Sequence, residues 1–323
     1  MGPNLTFPAG EDPPPPIPEH ELLGLIGTGS SGHVWLAKNA LGAFRAVKIV
    51  RENSFNYGGA FDREWQGVLK FEPISRSHDG LVDILQVGGS KEAGYFYYVM
   101  ELADDIISGQ VVIQGRYLPR TLSRDIERRG RLPIGECVRT GAAIASALSF
   151  LHRHDLLHCD VKPSNIIFVN GFPKLADAGL VSEVFKPGAR VGTEGFIAPE
   201  GSGTPEADVY SLGKVLYEIS TGKDRNEYPE LPPDLGETAE DRDVVQFNKI
   251  VLRSCRANPR QRFRSAEDLL TALVSFQFCQ HQLRKAKAWR YSARLLAWCG
   301  LVVALVASVL MVWRVVWLLT HGK

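Results

Sequence analysis

The sequence lacks any C-x-x-C pair. Its five cysteines, Cys137, Cys159, Cys255, Cys279 and Cys299, are scattered, which argues against a disulfide framework or a zinc site and makes a reducing compartment the default. A charge bias is missing too. The 37 Lys and Arg residues face 36 Asp and Glu, a formal net charge of +1, so nothing draws the whole chain to nucleic acid or to acidic partners. No repeat recurs at solenoid length. Residues 1–19 hold neither the basic nor the apolar region of a secretory signal. Pro13 to Pro16 is a stiff extended run, read as part of a disordered lead-in, with a polyproline ligand as the alternative. What remains is ordinary globular composition, 45% hydrophobic and 23% charged over 323 residues, enough for one large domain or two smaller ones.

Charge is also absent from "LLAWCGLVVALVASVLMVW", residues 295–313. As a helix this stretch spans about 28 Å, close to the thickness of a bilayer's hydrocarbon core. It shows no polar stripe, so a helix lying on a membrane surface fits poorly; a buried core helix is the alternative. Trp298, Trp313 and Trp317 suit the interfaces, and Arg314 is placed to snorkel. Arg284, Lys285, Lys287, Arg290 and Arg294 precede the stretch, and only Arg314 and Lys323 lie beyond. The positive-inside bias then places residues 1–294 in the cytoplasm, with a membrane helix at 295–319 in contact with lipid as a tail anchor.

Within the preceding residues, "ELLGLIG", "HVWLAK" and "FRAVKIV" read as strands, as do "LVDILQVGG" and "GYFYYVMELA". A helix is predicted over 60–71, where Phe61, Trp65, Val68 and Leu69 fall at helical spacing. From about residue 120 the pattern is helical: "TLSRDIERRG" with a glycine cap, then "GECVRTGAAIASALSFLHRHD", "DVYSLGKVLYEIST" and "SAEDLLTALVSF". Strands first and helices second predict an α+β chain with two lobes.

Three constellations stand in this frame. "GTGSSGHV" carries Gly27, Gly29 and Gly32, whose bare backbone lets N–H groups approach phosphate oxygens. The same spacing occurs in dinucleotide turns, but those open a helix, and "HVWLAK" reads as a strand. Lys48 follows, flanked by apolar Ala46, Val47, Ile49 and Val50, so its charge is partly buried and needs a partner; a solvated strand lysine is the alternative. Glu64 is the preferred carboxylate, because Glu52 is too close along the chain and Glu72 falls just before Pro73. A solvated helix glutamate remains open there. The second constellation is "LLHCDVKPSN", residues 156–165, and the third is "KLADAGLV", followed by "GTEGFIAPE".

Together these resemble the protein kinase superfamily, nearest in style to bacterial (Hanks-type) membrane-anchored serine/threonine kinases. The resemblance covers about residues 20–277. It implies a bilobal fold with a small β-rich N-lobe and a large helical C-lobe, a basic juxtamembrane segment at 278–294, one C-terminal transmembrane helix, and a short tail at 320–323. It implies ATP and Mg²⁺ as cofactors and protein Ser/Thr hydroxyls as acceptors, and leaves oligomeric state open. Asp160 would orient or deprotonate the hydroxyl, Lys162 would steady the γ-phosphate, and Asn165 and Asp177 would hold the metal. ATP contacts are implied for Ile26, Gly27, Thr28, Gly29, Ser30, Ser31, Gly32, His33, Val34, Ala46, Lys48 and Glu64, and for the hinge residues Glu101 and Ala103 beside the gatekeeper Met100. Thr193 matches the threonine that bonds the catalytic Asp and Lys. Asp208 matches the buried Asp bracing the catalytic loop, and Arg262 the partner of Glu200.

The chain also departs from the pattern. Cys159 replaces an arginine that pairs with an activation-loop phosphate. Ala178 replaces a phenylalanine that packs under the helix carrying Glu64. Residues 106–119 form an insertion. Cys159 and Ala178 keep open a pseudokinase scaffold that binds nucleotide or partners without catalysis, while "GTEGF" and Ala198-Pro199-Glu200 speak against a small-molecule acceptor.

Overall fold

The computed structural model describes residues 13–321 except Ser30, 56–58, 178–181, 184–190, 234 and 237. The expectations placed on Ser30, on Ala178 and on residues 1–12 lie outside the described residues. The chain divides into two compact units, Met1–Val274 and Ser275–Lys323.

The first unit begins with an antiparallel sheet: β1 (His20–Gly29), β2 (Gly32–Asn39), β3 (Phe44–Arg51), β4 (Ile84–Ser90) and β5 (Tyr95–Met100), in the order β1-β2-β3-β5-β4. Strand alternation divides β3 between two faces. Ala46, Lys48 and Val50 share one. Val47 and Ile49 share the other, in a core cluster with Trp35, Ala37, Tyr97, Val99 and Ile17. Ile17 corrects the expected disordered lead-in over 13–19. Its side chain is 5% exposed against this apolar face, the His20 N–H donates to its carbonyl at 3.1 Å, and Arg51 Nη2 donates to the Pro13 carbonyl at 2.6 Å. An apolar sheet face needs a cover, and the lead-in supplies part of it.

Helix α1 (Ala60–Ser75) sets Phe61 and Trp65 against Phe96 of β5, ring centroids 5.3 and 4.9 Å apart. It runs past the predicted end at residue 71. Pro73 sits in its last turn, so the bond it cannot donate is the single one back to the Leu69 carbonyl, and the helix stops two residues later.

Helices then dominate. Thr121 caps α2 (Leu122–Arg129) and Gly130, at φ 66°, ends it. Next come α3 (Ile134–Arg153) and α4 (Pro205–Thr221), the latter capped by Thr204 with proline at its first position. The sequence reading had no counterpart for α5 (Ala239–Ser254), which buries Val244, Phe247 and Val251 and starts from a Thr238/Asp241 capping box. Between α3 and α4 lie short ladders, β6 (Leu156–Leu157) with β9 (Ser182–Glu183), and β7 (Ile166–Val169) with β8 (Phe172–Leu175). Among the described residues, α3 is the one helix long and apolar enough to cross a membrane. It buries Ile144, Ala145, Leu148 and Leu151 inside the unit, so it is a core helix.

The 106–119 insertion is ordered around a single carboxylate. Asp105 Oδ1 accepts the N–H groups of Ile107 and Ser108 and the Ser108 hydroxyl, and Oδ2 accepts the Leu118 N–H at 2.7 Å. Burial pushes the Asp105 carboxyl up, but these hydrogen bonds outweigh it and hold it at about 2.

The second unit is helical from Ser275 to His321, a continuation of α6 (Ala266–His321). Its described apolar stretch is Leu305–Trp317, shorter than the roughly 20 residues a bilayer core asks for.

Ile17→Ala tests the role of the lead-in. Removing this side chain should cost about 2 kcal/mol or more and lower the thermal midpoint, while Pro16→Ala, at an exposed position, should leave it unchanged. An unaltered midpoint for Ile17→Ala would show that the segment is not part of the core.

Candidate active site

Hairpin β1–β2 closes through Gly29, which pairs with Gly32, while Gly27 pairs with Val34 and Thr28 with His33. Ile26 lies on the same β1 arm. Glycine is required at position 32, where a Cβ would collide with the Ile49 carbonyl oxygen of β3. The hairpin therefore lies tightly on the strand that carries Ala46 and Lys48.

Lys48 is 4% exposed. Its Nζ lies 3.2 Å from Glu64 Oε1 on α1 and 2.6 Å from Asp177 Oδ1, just beyond β8. Glu64 is thus the paired carboxylate and not a solvated one. Burial lowers the Lys48 value, but Asp177, Tyr98 and Glu64 overcome it and hold the ammonium well above 10.5. Burial raises Asp177 as well, and the charge and hydrogen bond of Lys48 reverse this, leaving the carboxyl below 3.8. For Glu64 burial prevails over Lys48, and its carboxyl is raised. Of the two acids, Asp177 is the stronger partner.

The loop between β6 and β7 places Asp160, Lys162 and Asn165 together. Asp160 Oδ1 accepts the Thr193 hydroxyl at 2.7 Å, and Oδ2 accepts Asn165 Nδ2 at 3.0 Å. Lys162 Nζ is 2.7 Å from Asp160 Oδ2 and donates to Thr193 Oγ1 at 2.8 Å. The Asn165 amide nitrogen also donates to the Asp160 carbonyl, which turns the amide oxygen away as an acceptor. Asp208 of α4 braces the loop, its two oxygens accepting the N–H groups of His158 and Cys159 at 2.9 Å each. His152 Nε2 lies 2.9 Å from the same carboxylate. Burial raises the Asp208 value, but the hydrogen bond and charge of His152 pull it down overall. Arg262 forks onto Glu200 at 2.6 and 2.7 Å.

Cys159 (φ 64°) and Asp177 (φ 66°) both have left-handed backbones, a cost of about 1 kcal/mol or more each for residues with a Cβ. Burial pushes the Cys159 thiol well above its ordinary range, so it offers no charge where the family pattern has arginine.

At the hinge position implied by the resemblance, the Glu101 N–H donates to the Asp83 carbonyl at 3.1 Å. Its carboxylate accepts Lys174 Nζ at 2.5 Å and the Asp83 N–H at 2.9 Å. Among the described residues its N–H and its carboxylate are thus both engaged. Ala103 gives its carbonyl to the Tyr117 hydroxyl at 2.8 Å. The sequence reading did not find Lys174, Tyr117 or His152, since side-chain partners across elements leave no local spacing. Nor did it assign His158 its contact, with Nε2 3.1 Å from the Ala176 carbonyl, although the residue sat inside a recognised motif.

The family model described as Protein kinase domain matches residues 20–285. The chain is 28% identical over 290 residues to the serine/threonine-protein kinase PknA of Mycobacterium tuberculosis H37Rv, covering 79% of this chain and 61% of that protein. It is 30% identical over 219 residues to the DNA damage-responsive serine/threonine-protein kinase RqkA of Deinococcus radiodurans, covering 63% and 30%. It is 27% identical over 282 residues to the serine/threonine-protein kinase PrkC of Bacillus subtilis, covering 77% and 39%. The chain thus spans about three fifths of the length of the mycobacterial relative and less of the other two.

The Lys48–Asp177 pair sets a pH window. A carboxyl held below 3.8 contributes stability that is present above that value and is lost as pH falls through the lower folded value. An ammonium held above 10.5 contributes stability that is lost as pH rises beyond it. The thermal-midpoint gap between wild type and Asp177→Asn should therefore stay level from about pH 5 to 9 and narrow below about pH 4. A gap that widens in acid would contradict the pairing.

Proposed function

Because the chain belongs to the protein kinase family, we propose that it transfers the γ-phosphoryl group of ATP to Ser and Thr hydroxyls of proteins at the cytoplasmic face of a membrane. One observation carries the reading: the Asp160 carboxylate is fixed from three directions by Thr193, Asn165 and Lys162. A carboxylate so held can align a hydroxyl and accept its proton without reorganising. Lys162 stands beside it to steady the transferring group. Lys48, buried and cationic, grips the inner phosphates, and the β1–β2 hairpin covers them with backbone N–H groups. The Glu101 carbonyl and the Ala103 N–H meet adenine.

The residues present fit magnesium. This hard cation takes one or two protein oxygens and completes its shell with phosphates and water. The Asn165 amide oxygen and the Asp177 carboxylate provide such a pair, and no cluster of three His, Cys, Asp or Glu exists among the described residues to compete. When bound, the ion neutralises charge on the phosphates. Lys162 two residues after Asp160, and relatives named as serine/threonine-protein kinases, support hydroxyls of Ser and Thr as acceptors.

The membrane part of the proposal rests on α6. Trp298, Leu301, Val303 and the apolar residues from Leu305 to Trp317 are more than half exposed along one uncharged run, interrupted only by Arg314. So much contiguous apolar surface calls for a cover, and the basic residues preceding it favour anionic lipid on the cytoplasmic side.

Cys159 favours a second reading, a nucleotide-binding scaffold, since the usual cation is absent. The two are separated by labelled ATP with Mg²⁺. Wild-type full-length protein should label a protein substrate, and Asp160→Asn should reduce the rate about 10²–10⁴-fold; nucleotide binding with no transfer by the wild type would establish the scaffold instead. Prior phosphatase treatment should leave the wild-type rate unchanged, because a neutral Cys159 cannot read an activation-segment phosphate. Deleting residues 295–323 should shift the protein from the membrane fraction to the soluble one.

A further inference from the structure

From residue 244 to residue 266 the sequence has no Asp or Glu, yet it has six cations: Lys249, Arg253, Arg256, Arg260, Arg262 and Arg264. Arg262 is buried and neutralised by Glu200. Lys249, Arg253 and Arg256 are exposed, and among the described residues none of them makes an ion pair. They stand with Leu252 at i, i+3, i+4 and i+7, one face of α5 and the turn just beyond it. Gln261 closes the other side, and together these five residues line an open pocket of about 610 Å³.

The pocket has a fixed frame. The Arg253 guanidinium lies 4.1 Å from the centroid of the Phe263 ring. Arg262 Nε donates to the Arg256 carbonyl at 2.6 Å and Nη2 to the Ala257 carbonyl at 3.1 Å. Asn258 Oδ1 accepts the Arg260 N–H at 3.0 Å. A cation near a helix C-terminus offsets the roughly −0.5 charge there, and Arg253 alone would do this. Three unpaired cations around one hollow leave an excess of about two positive charges, which points to a polyanionic ligand.

A phosphoryl group matches that excess. It carries about −1.5 to −2 charge and three acceptor oxygens, and guanidinium forks bind it in bidentate fashion. The volume is larger than a lone phosphate needs, and Leu252 and the Gln261 amide can receive the chain that bears it. We propose that this pocket binds a phosphorylated Ser or Thr on a protein segment, holding a substrate already modified once for a second transfer. This rests on the protein kinase reading, under which such segments are the product of that reaction.

The test is binding of a fluorescent phosphothreonine peptide to the full-length protein in detergent, followed by anisotropy without ATP. The phosphopeptide should bind at least roughly tenfold tighter than its unphosphorylated form, and Arg253→Gln with Arg256→Gln should remove that preference. Lys249→Gln should weaken it without touching the Phe263 stack. All variants should phosphorylate a single-site peptide at the wild-type rate but fall behind on the second site of a two-site substrate. Equal affinity for both peptides would overturn the proposal, as would undiminished binding by the variants. Displacement by equimolar inorganic phosphate, or by phosphatidylserine vesicles, would also overturn it by assigning the pocket to a free ion or to a lipid. Since binding is read without turnover, its failure stands apart from any failure of phosphoryl transfer.

Discussion

Lys48 is buried, and a buried ammonium is tolerable only when compensated. Its two partners come from different parts of the chain, Glu64 from the helix after β3 and Asp177 from the segment after β8. One cation therefore ties the sheet, α1 and the segment after β8 into a common geometry. The tie is unequal: Asp177 holds the ammonium more closely, and burial leaves Glu64 with a raised carboxyl. Under the proposed reading, entering phosphates would compete for the same three N–H donors of Lys48, which would leave the Asp177 carboxylate available to a cation.

The second constraint lies beneath. Cys159 and Asp177 are strained, and His158 stands between them, its backbone N–H on Asp208 and its ring on the Ala176 carbonyl next to Asp177. Asp208 takes the Cys159 N–H as well, so one carboxylate restrains the loop that presents Asp160. Gly192, at φ 117°, completes the fit, because a Cβ there would approach the Cys159 carbonyl to 2.5 Å. Strain of this kind persists only where the surroundings over-determine it, and here the surroundings are buried hydrogen bonds.

The parts legible in the sequence were those whose chemistry is local. The glycine hairpin, the Asp160–Asn165 loop and the Gly130 cap each occupy a few consecutive residues, and the order of strands before helices followed from periodicity. Glu64 was chosen from spacing, but its pairing is a matter of burial that no spacing encodes. Ile17 looked like the end of a proline-rich tail, because nothing in "PPPPIPEH" announces the uncovered sheet face it meets. Helix α5 was hidden by charge: "AEDRD" at its start and, among the described residues, three well-buried apolar positions give a weak period. The Glu101–Lys174 contact spans 73 residues of chain and belongs to tertiary structure alone.

Under the proposed reading, the insertion at 106–119 bears on what a competitor of the nucleotide can grip. Tyr117 already donates to the Ala103 carbonyl from a buried position, and the Glu101 N–H is committed to Asp83. A heteroaromatic inhibitor would find an acceptor at the Glu101 carbonyl, unengaged among the described residues, and a donor at Ala103, and a third anchoring group aimed at the Ala103 oxygen would have to share it with a phenol. Under the proposed reading, scaffolds with two-point hinge anchors would suit the site better than three-point ones.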